Sequence, residues 1–408
     1  MTHQSGTHRS RRSRTQWLAL VVVLAVCAAG MISAGIIVGT RATQGGAEPQ
    51  LPRTARAVAP VAPPIAPVAP PIELIRCTQG SAIEQLPLRR RLAQLLMVGV
   101  DAREPREALA VVTSEQVGGI FLPGNATGLL SDGALEQVQA AAVLPVAVAV
   151  DDEGGRVQRI DALDGELPSA RSMAANLSVE QVYQLAAKRG SQLRARGITI
   201  DFAPSVDVSS QPRNAVIGDR SFSRDPTIAA RYAGAFARGL RDAGVLPVFK
   251  HFPGHGRATG DSHRGAVRTP PLAELGEVDL LPYRQLLDGQ PAAVMVGHLD
   301  VPRLTEPGTP ASLSPAALAL LRDQLGFDGL VVTDDLAAMA AVTDRVDLPE
   351  AVRQSLAAGV DMALWITTSR LAEVLDHLEQ AVAAGSLPES RVNNAVAHVL
   401  TAKAVDLC

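Results

Sequence analysis

From about Ile75 onward, short apolar runs alternate with stretches whose apolar residues recur at helical spacing. The runs are Leu95–Val100, Gly118–Leu122, Leu144–Val150, Ile198–Ala203, Leu246–Phe249, Ala292–Val296, Gly329–Thr333 and Asp361–Trp365. Between them lie helix-like segments such as Val179–Arg196, Pro226–Ala243, Pro315–Leu325 and Leu348–Ala358. Eight strand-length runs interleaved with helices predict an α/β fold, a single (β/α)8 TIM barrel over residues 75–408. An open doubly wound sheet is the alternative. It usually carries a glycine-rich turn after its first strand, and none follows Leu95–Val100.

Polar residues gather just after these runs. Val150 leads into Asp151-Asp-Glu-Gly-Gly-Arg-Val-Gln-Arg159, and Ala203-Pro204 into Asp207 and then Ile217-Gly-Asp-Arg-Ser-Phe222. Phe249 leads into Lys250-His-Phe-Pro-Gly-His-Gly256 and Asp261-Ser-His263, Val296 into Gly297-His298-Leu-Asp300, and Thr333 into Asp334-Asp335. Five clusters at the C-terminal ends of successive strands define one mouth, the edge where a barrel builds its active site.

Residues 1–16 carry Arg9, Arg11, Arg12 and Arg14 and no acidic residue. Residues 17–39 follow without a charge, and as a helix would span ~35 Å, enough to cross a bilayer. A cleaved signal normally has a shorter apolar region. The favoured reading is therefore a basic cytoplasmic N-terminus (1–16) and a single-pass transmembrane signal-anchor (17–39), with all that follows exported to the outer side of the cell membrane. A cleaved signal, with secretion, and lipid attachment at Cys27 are the alternatives. Residues 40–74 read as a linker, because Ala59-Pro-Val-Ala-Pro-Pro-Ile65 repeats without change as Ala66–Ile72. That proline density predicts an extended polyproline II spacer. Cys77 and Cys408 bracket the globular part, and two readings stay open for them, a disulfide or two free thiols.

The chain has 408 residues, 47% of them hydrophobic, only 3% aromatic, and a formal charge of −3. Its core must come from Ala, Val and Leu, and it shows no basic face for nucleic acid. The mouth lacks a nucleophile-elbow serine and a phosphate-cradling loop. His251, His255, Asp261 and His263 are zinc-ligand types, but Pro253 and Gly254 keep His251 and His255 from sharing a helix face. No metal and no cofactor is expected. Carboxylates mixed with Arg, Lys and His suit a polyhydroxylated substrate.

Lys250–Gly256 with Asp261-Ser-His263, Asp151-x-Glu-Gly-Gly-Arg-Val-Gln-Arg159, Ile217–Phe222 and Thr333-Asp-Asp-Leu336 resemble the β-N-acetylglucosaminidases of glycoside hydrolase family 3 across roughly residues 90–370. The resemblance implies a retaining exo-glycosidase acting on cell-wall fragments; the membrane segment and proline linker at the N-terminus depart from the family, and a monomer is expected. It implies that Asp334 is the nucleophile, that His263 is the acid/base, and that Asp261 orients its imidazole. An imidazole titrates near neutrality, which suits that task. Asp151, Arg159, Arg220, Lys250 and His251 would hold the sugar. Phosphorolysis is the alternative reaction, and a silent cell-wall-binding module the alternative class. Asp334 is expected to face the mouth and Asp335 to cap a helix. His255 is expected to hold its loop by hydrogen bonds. Arg156 and Asp219 are candidates for a structural ion pair. His298 is open between lining the pocket and being a satisfied buried histidine. The glycines between His251 and Asp261 are expected to act as a hinge, and the loop 256–269 to complete the site.

Overall fold

The computed structural model describes residues 81–287 and 289–405. The N-terminal segments expected at 1–16, 17–39 and 40–74, together with Cys27, Cys77 and Cys408, lie outside the described residues. Among the described residues no helix is long and apolar enough to cross a membrane.

Among the described residues ten strands are present: β1 (Leu96–Gly99), β2 (Gly119–Phe121), β3 (Ala147–Val150), β4 (Ile200–Asp201), β5 (Leu246–Phe252), β6 (Val267–Arg268), β7 (Ala293–Val296), β8 (Leu299–Asp300), β9 (Val331–Thr333) and β10 (Ala363–Trp365). Eight form one parallel sheet in the order β10-β1-β2-β3-β4-β5-β7-β9, while β6 and β8 make a separate two-stranded ribbon. The sheet's two ends meet, because Val332 bridges to Met362 in parallel and the Thr333 N–H donates to the Met362 carbonyl at 3.1 Å. This eight-stranded near-barrel is the (β/α)8 architecture, with every expected run in its expected place.

The strands are buried on both faces and read as continuous runs of Val, Ile, Leu and Ala, as a helix-covered parallel sheet requires. The helices Val179–Ala195 and Pro226–Asp242 carry conventional start signals. Ser178 and Gln181 form a reciprocal capping box, and Asp225 caps the second helix ahead of Pro226. Two elements differ from the expectation. The run Ile198–Ala203 narrows to the two residues of β4, although Thr199, Phe202 and Ala203 still exchange backbone hydrogen bonds with the neighbouring strands. The segment Pro315–Leu325 is helical only to Ala319 and then widens into a π turn over Leu320–Gln324.

Candidate active site

The mouth encloses a cavity of about 320 Å³ at the C-terminal ends of the strands. Phe121, Phe202, Met295 and Leu364 give it apolar walls. Seven of the eight candidate site residues, Asp151, Arg159, Arg220, Lys250, His251, His263 and Asp334, also line it. The eighth, Asp261, touches His263 instead: its carboxylate meets His263 Nδ1 at 2.8 Å and accepts the His263 backbone N–H at 3.1 Å.

Consecutive residues on a regular strand point to opposite faces, yet Lys250 and His251 both reach the cavity. The β5–β7 ladder explains this. Phe249 pairs with Val294 but Phe252 with Val296, so one extra residue is accommodated in β5 between them. Such a bulge re-aims side chains, and bulges are common beside active sites. The Lys250–His251 and Phe252–Pro253 peptides are cis.

The charged groups interlock. Lys250 Nζ lies 2.6 Å from both Asp151 Oδ1 and Glu153 Oε1. Glu153 also receives both arms of Arg220, at 2.7 and 2.8 Å. Burial alone would raise the Glu153 carboxyl, but the charges of Arg220 and Lys250 outweigh it and hold the group well below the usual carboxylate range. Burial would lower Lys250, and Asp151 and Glu153 reverse that, leaving a firmly charged ammonium. Arg159 stands 3.6 Å from Asp151. His251 Nδ1 pairs with the buried Asp207 at 2.7 Å, and its Nε2 turns toward Arg220 at 3.3 Å. Asp207 also accepts the backbone N–H groups of His251 and His255. Against the upward push of burial, His251 and these bonds lower Asp207 to about 2.

Asp334 and Asp335 are driven apart. Burial pushes both upward, but for Asp334 the neighbouring imidazoles of His251 and His298, the Asp335 N–H and the Lys250 ammonium win, so its carboxyl falls below the ordinary value. Asp335 remains raised, by burial and by the charge of Asp334. Its Oδ1 accepts the Ala337 N–H at 3.0 Å, so it caps a turn where a helix cap was expected. Adjacent carboxyls pushed in opposite directions mark a division of labour, with Asp334 the ionised member.

The other expectations are met unevenly. Arg156 does pair with Asp219, at 3.1 Å. His298 is a satisfied buried histidine, bonded to Ser312 Oγ at 2.7 Å and to the Asp335 carbonyl at 2.8 Å. His255 does not hold the loop through its ring. Its backbone N–H binds Asp207, whereas both ring nitrogens are buried without a partner among the described residues and the ring lines the cavity. Burial, followed by the nearby His251, lowers its pKa and keeps the ring neutral. The first glycines are not a hinge. A Cβ at Gly254, whose φ is +138°, would stand 2.5 Å from Asp279 Cβ, and one at Gly256 would stand 2.2 Å from the Val208 carbonyl oxygen. Both are close-packing positions. The exposed part of the loop starts only at Thr259-Gly260. The loop returns through β6, which pairs with β8, and its Ser262 carbonyl accepts the Ala341 N–H at 3.1 Å. His263 is thereby carried to the rim, with 62% of its side chain exposed. Among the described residues no group of three or more His, Cys, Asp or Glu side chains is arranged to hold a metal ion.

Glu153 and Asp207 are the members of this charge network that sequence reasoning did not single out. Glu153 was visible only as a third acid after β3, and Asp207 as a lone acid after β4.

Residues 87–402 match the glycosyl hydrolase family 3 N-terminal domain. Over 322 residues the chain is 55% identical to the β-hexosaminidase LpqI of Mycobacterium tuberculosis, covering 77% of this chain and 82% of that protein. The solved M. tuberculosis LpqI structure superposes with a TM-score of 0.78 at 53% identity, covering 81% of this chain and 98% of that one. A family 3 β-N-acetylglucosaminidase from Paenibacillus sp. is similar at 34% identity and a TM-score of 0.74, over 78% of this chain and 62% of that one. The chain belongs to glycosyl hydrolase family 3 and groups there with β-hexosaminidases.

Proposed function

We propose that this protein is a retaining exo-β-N-acetylglucosaminidase that removes terminal β-linked N-acetylglucosamine from peptidoglycan fragments. The observation that carries the reading is that one cavity of single-sugar size contains both an ionised Asp334 and the imidazole of an Asp261–His263 pair. A nucleophile and an acid/base on opposite sides of a glycosidic bond are what double displacement needs.

In the first step an Asp334 oxygen bonds to the anomeric carbon while the bond to the aglycone oxygen breaks. His263 delivers the proton that this oxygen needs. In the second step His263 takes a proton from water, whose oxygen attacks the same carbon and releases the Asp334 carboxylate. Asp261 accepts from His263 Nδ1, leaving Nε2 to face the reacting oxygen, and stabilises the imidazolium between steps. Asp151, Lys250, Arg220, Arg159 and His251 hold the sugar hydroxyls and the acetamido group. Their mutual ion pairs fix them before the sugar arrives, so little ordering remains to be done on binding. The exported, membrane-anchored location rests on the basic flank and the uncharged segment 17–39, and a monomer suffices because loop 256–269 comes from the same chain.

The test is release of N-acetylglucosamine from its 4-nitrophenyl β-glycoside by the wild-type protein, and its loss in folded Asp334→Ala. Full activity in that variant removes the nucleophile assignment. An imidazole acid/base does not repel phosphate as a carboxylate would, which favours phosphorolysis as the second reading. Sugar 1-phosphate formed in phosphate buffer would establish that reading in place of hydrolysis.

A further inference from the structure

The catalytic cavity, at about 320 Å³, lies at the lower end of small-ligand pockets, ~300–1,000 Å³. It has room for one N-acetylated pyranose, so the rest of a longer substrate must rest elsewhere on the mouth. A second concavity of about 360 Å³ adjoins it over the loops that follow β1, β2 and β10. Pro123 and Ile366 belong to the walls of both. A chain leaving the catalytic cavity over this shared ridge enters the groove directly.

The groove is built rather than accidental. The Glu107 carboxylate accepts the Asp101 N–H at 2.7 Å on one wall and Thr368 Oγ1 at 2.5 Å on the other, so one side chain joins the loop after β1 to the loop after β10. The Leu129 N–H donates to the Ala102 carbonyl at 2.8 Å and ties in the segment after β2. A groove whose walls are bonded to each other costs little to organise when a ligand arrives.

We propose that this groove is the subsite for the sugar ring on the leaving-group side of the scissile bond, and that it reads a neutral ring through hydroxyl and amide groups. The proposal rests on the glycosidase reading above. Its chemistry follows from the lining. Two carboxylates, Asp101 and Glu107, stand against one guanidinium, Arg103, which Asp101 already engages at 2.9 and 3.1 Å. An anionic ring finds no unpaired cation here, so a muramic ring from a peptidoglycan fragment fits with its lactyl carboxyl amide-linked to peptide and therefore uncharged. Asn125 is exposed, and its amide has no partner among the described residues. It offers two donors and an acceptor, the complement of a sugar hydroxyl beside an acetamide. Thr367 Oγ1, bonded to Ser369 Oγ at 2.6 Å, adds a second polar group next to the ridge.

The experiment compares kcat/KM of the full-length protein on two substrates that share the sugar to be released. One is the 4-nitrophenyl β-glycoside of N-acetylglucosamine, whose flat aglycone has no hydroxyl or amide to read. The other is N,N′-diacetylchitobiose. Asn125→Trp, which fills the groove, is expected to lower kcat/KM on the disaccharide about tenfold or more. Asn125→Ala should lower it about three- to tenfold, the size of one lost neutral hydrogen bond. Both variants should stay within about twofold of wild type on the aryl glycoside. Activity of the wild type on the aryl glycoside tests the glycosidase reading separately, and the substrate ratio tests the groove. Equal losses on both substrates, unchanged disaccharide kinetics in both variants, or a wild type that cleaves the aryl glycoside but not the disaccharide would each overturn the proposal.

Discussion

The barrel carries a buried charge cluster at each end, and the two are built alike but finished differently. At the mouth, Asp151, Glu153, Lys250 and Arg220 interlock around an open cavity. At the opposite end, Asp361 sits just ahead of β10 and collects Arg322, Arg391 at 2.6 Å, His398 at 2.9 Å and the Val331 N–H. Burial raises Asp361, but its cations prevail and lower it to about 2, much as for Asp207 at the mouth. The far cluster closes on itself, with Asp361 fully buried, and joins the starts of β9 and β10 where the ring closes. Among the described residues, the mouth cluster leaves both ring nitrogens of His255 without a partner, while Asp334 Oδ1 accepts the Asp335 N–H and His263 is bonded at Nδ1. A strongly perturbed carboxylate therefore does not by itself mark an active site. What distinguishes the catalytic end is the groups left for a ligand to satisfy.

This contrast predicts that substitutions at the two ends fail differently. The largest effect belongs to Asp334→Ala, which should lower kcat on the order of 10⁴-fold or more with an unchanged melting temperature. His263→Ala should follow, at about 10²–10⁴-fold, again without loss of stability, since that side chain is exposed. Asp361→Ala reverses the pattern. It strands two arginines, and urea unfolding should show about 3–5 kcal/mol of lost stability while the folded fraction keeps its kcat. A loss of activity per folded molecule in Asp361→Ala would break the comparison.

Two smaller effects sharpen it. Asp207→Asn removes the carboxylate that orients His251, so KM should rise more than kcat falls, with about 1.5–3 kcal/mol lost in kcat/KM. Acid should loosen both ends together. Asp207 and Asp361 titrate at about 2 in the folded protein, against ~3.9 for an unfolded aspartate. Below 3.9 the unfolded chain binds more protons, so the stability these groups contribute is complete above about pH 4 and is lost as pH falls toward 2. Acid melts followed by circular dichroism should show the decline in that window. It should shrink in Asp361→Asn, measured on the same pH axis.

The strands were legible because a doubly covered parallel sheet writes itself as unbroken apolar runs, and all eight were found. The mouth was legible for the same reason, since its residues follow those runs in the chain. What escaped detection depends on distance in sequence. Glu153 takes its meaning from Arg220, 67 positions on, and Asp207 from His251, 44 positions on. The Asp361 cluster left no local sign, because Arg322 comes from the segment Leu320–Gln324 and Arg391 and His398 from the helix Glu389–Ala402, both distant from Asp361 in the chain. The bulge in β5 was likewise hidden. Apolar periodicity over Leu246–Phe249 says nothing of an extra residue accommodated at Lys250-His251.

The most direct test is to trap the covalent glycosyl-enzyme with a slowly turned-over 5-fluoro derivative of N-acetylglucosamine and to locate it by intact-mass and peptide mass spectrometry. One sugar bound per chain, on the peptide containing Asp334 and absent from Asp334→Ala, is the predicted result. Turnover of the aryl glycoside with no adduct, or with an adduct on any other residue, would contradict the account.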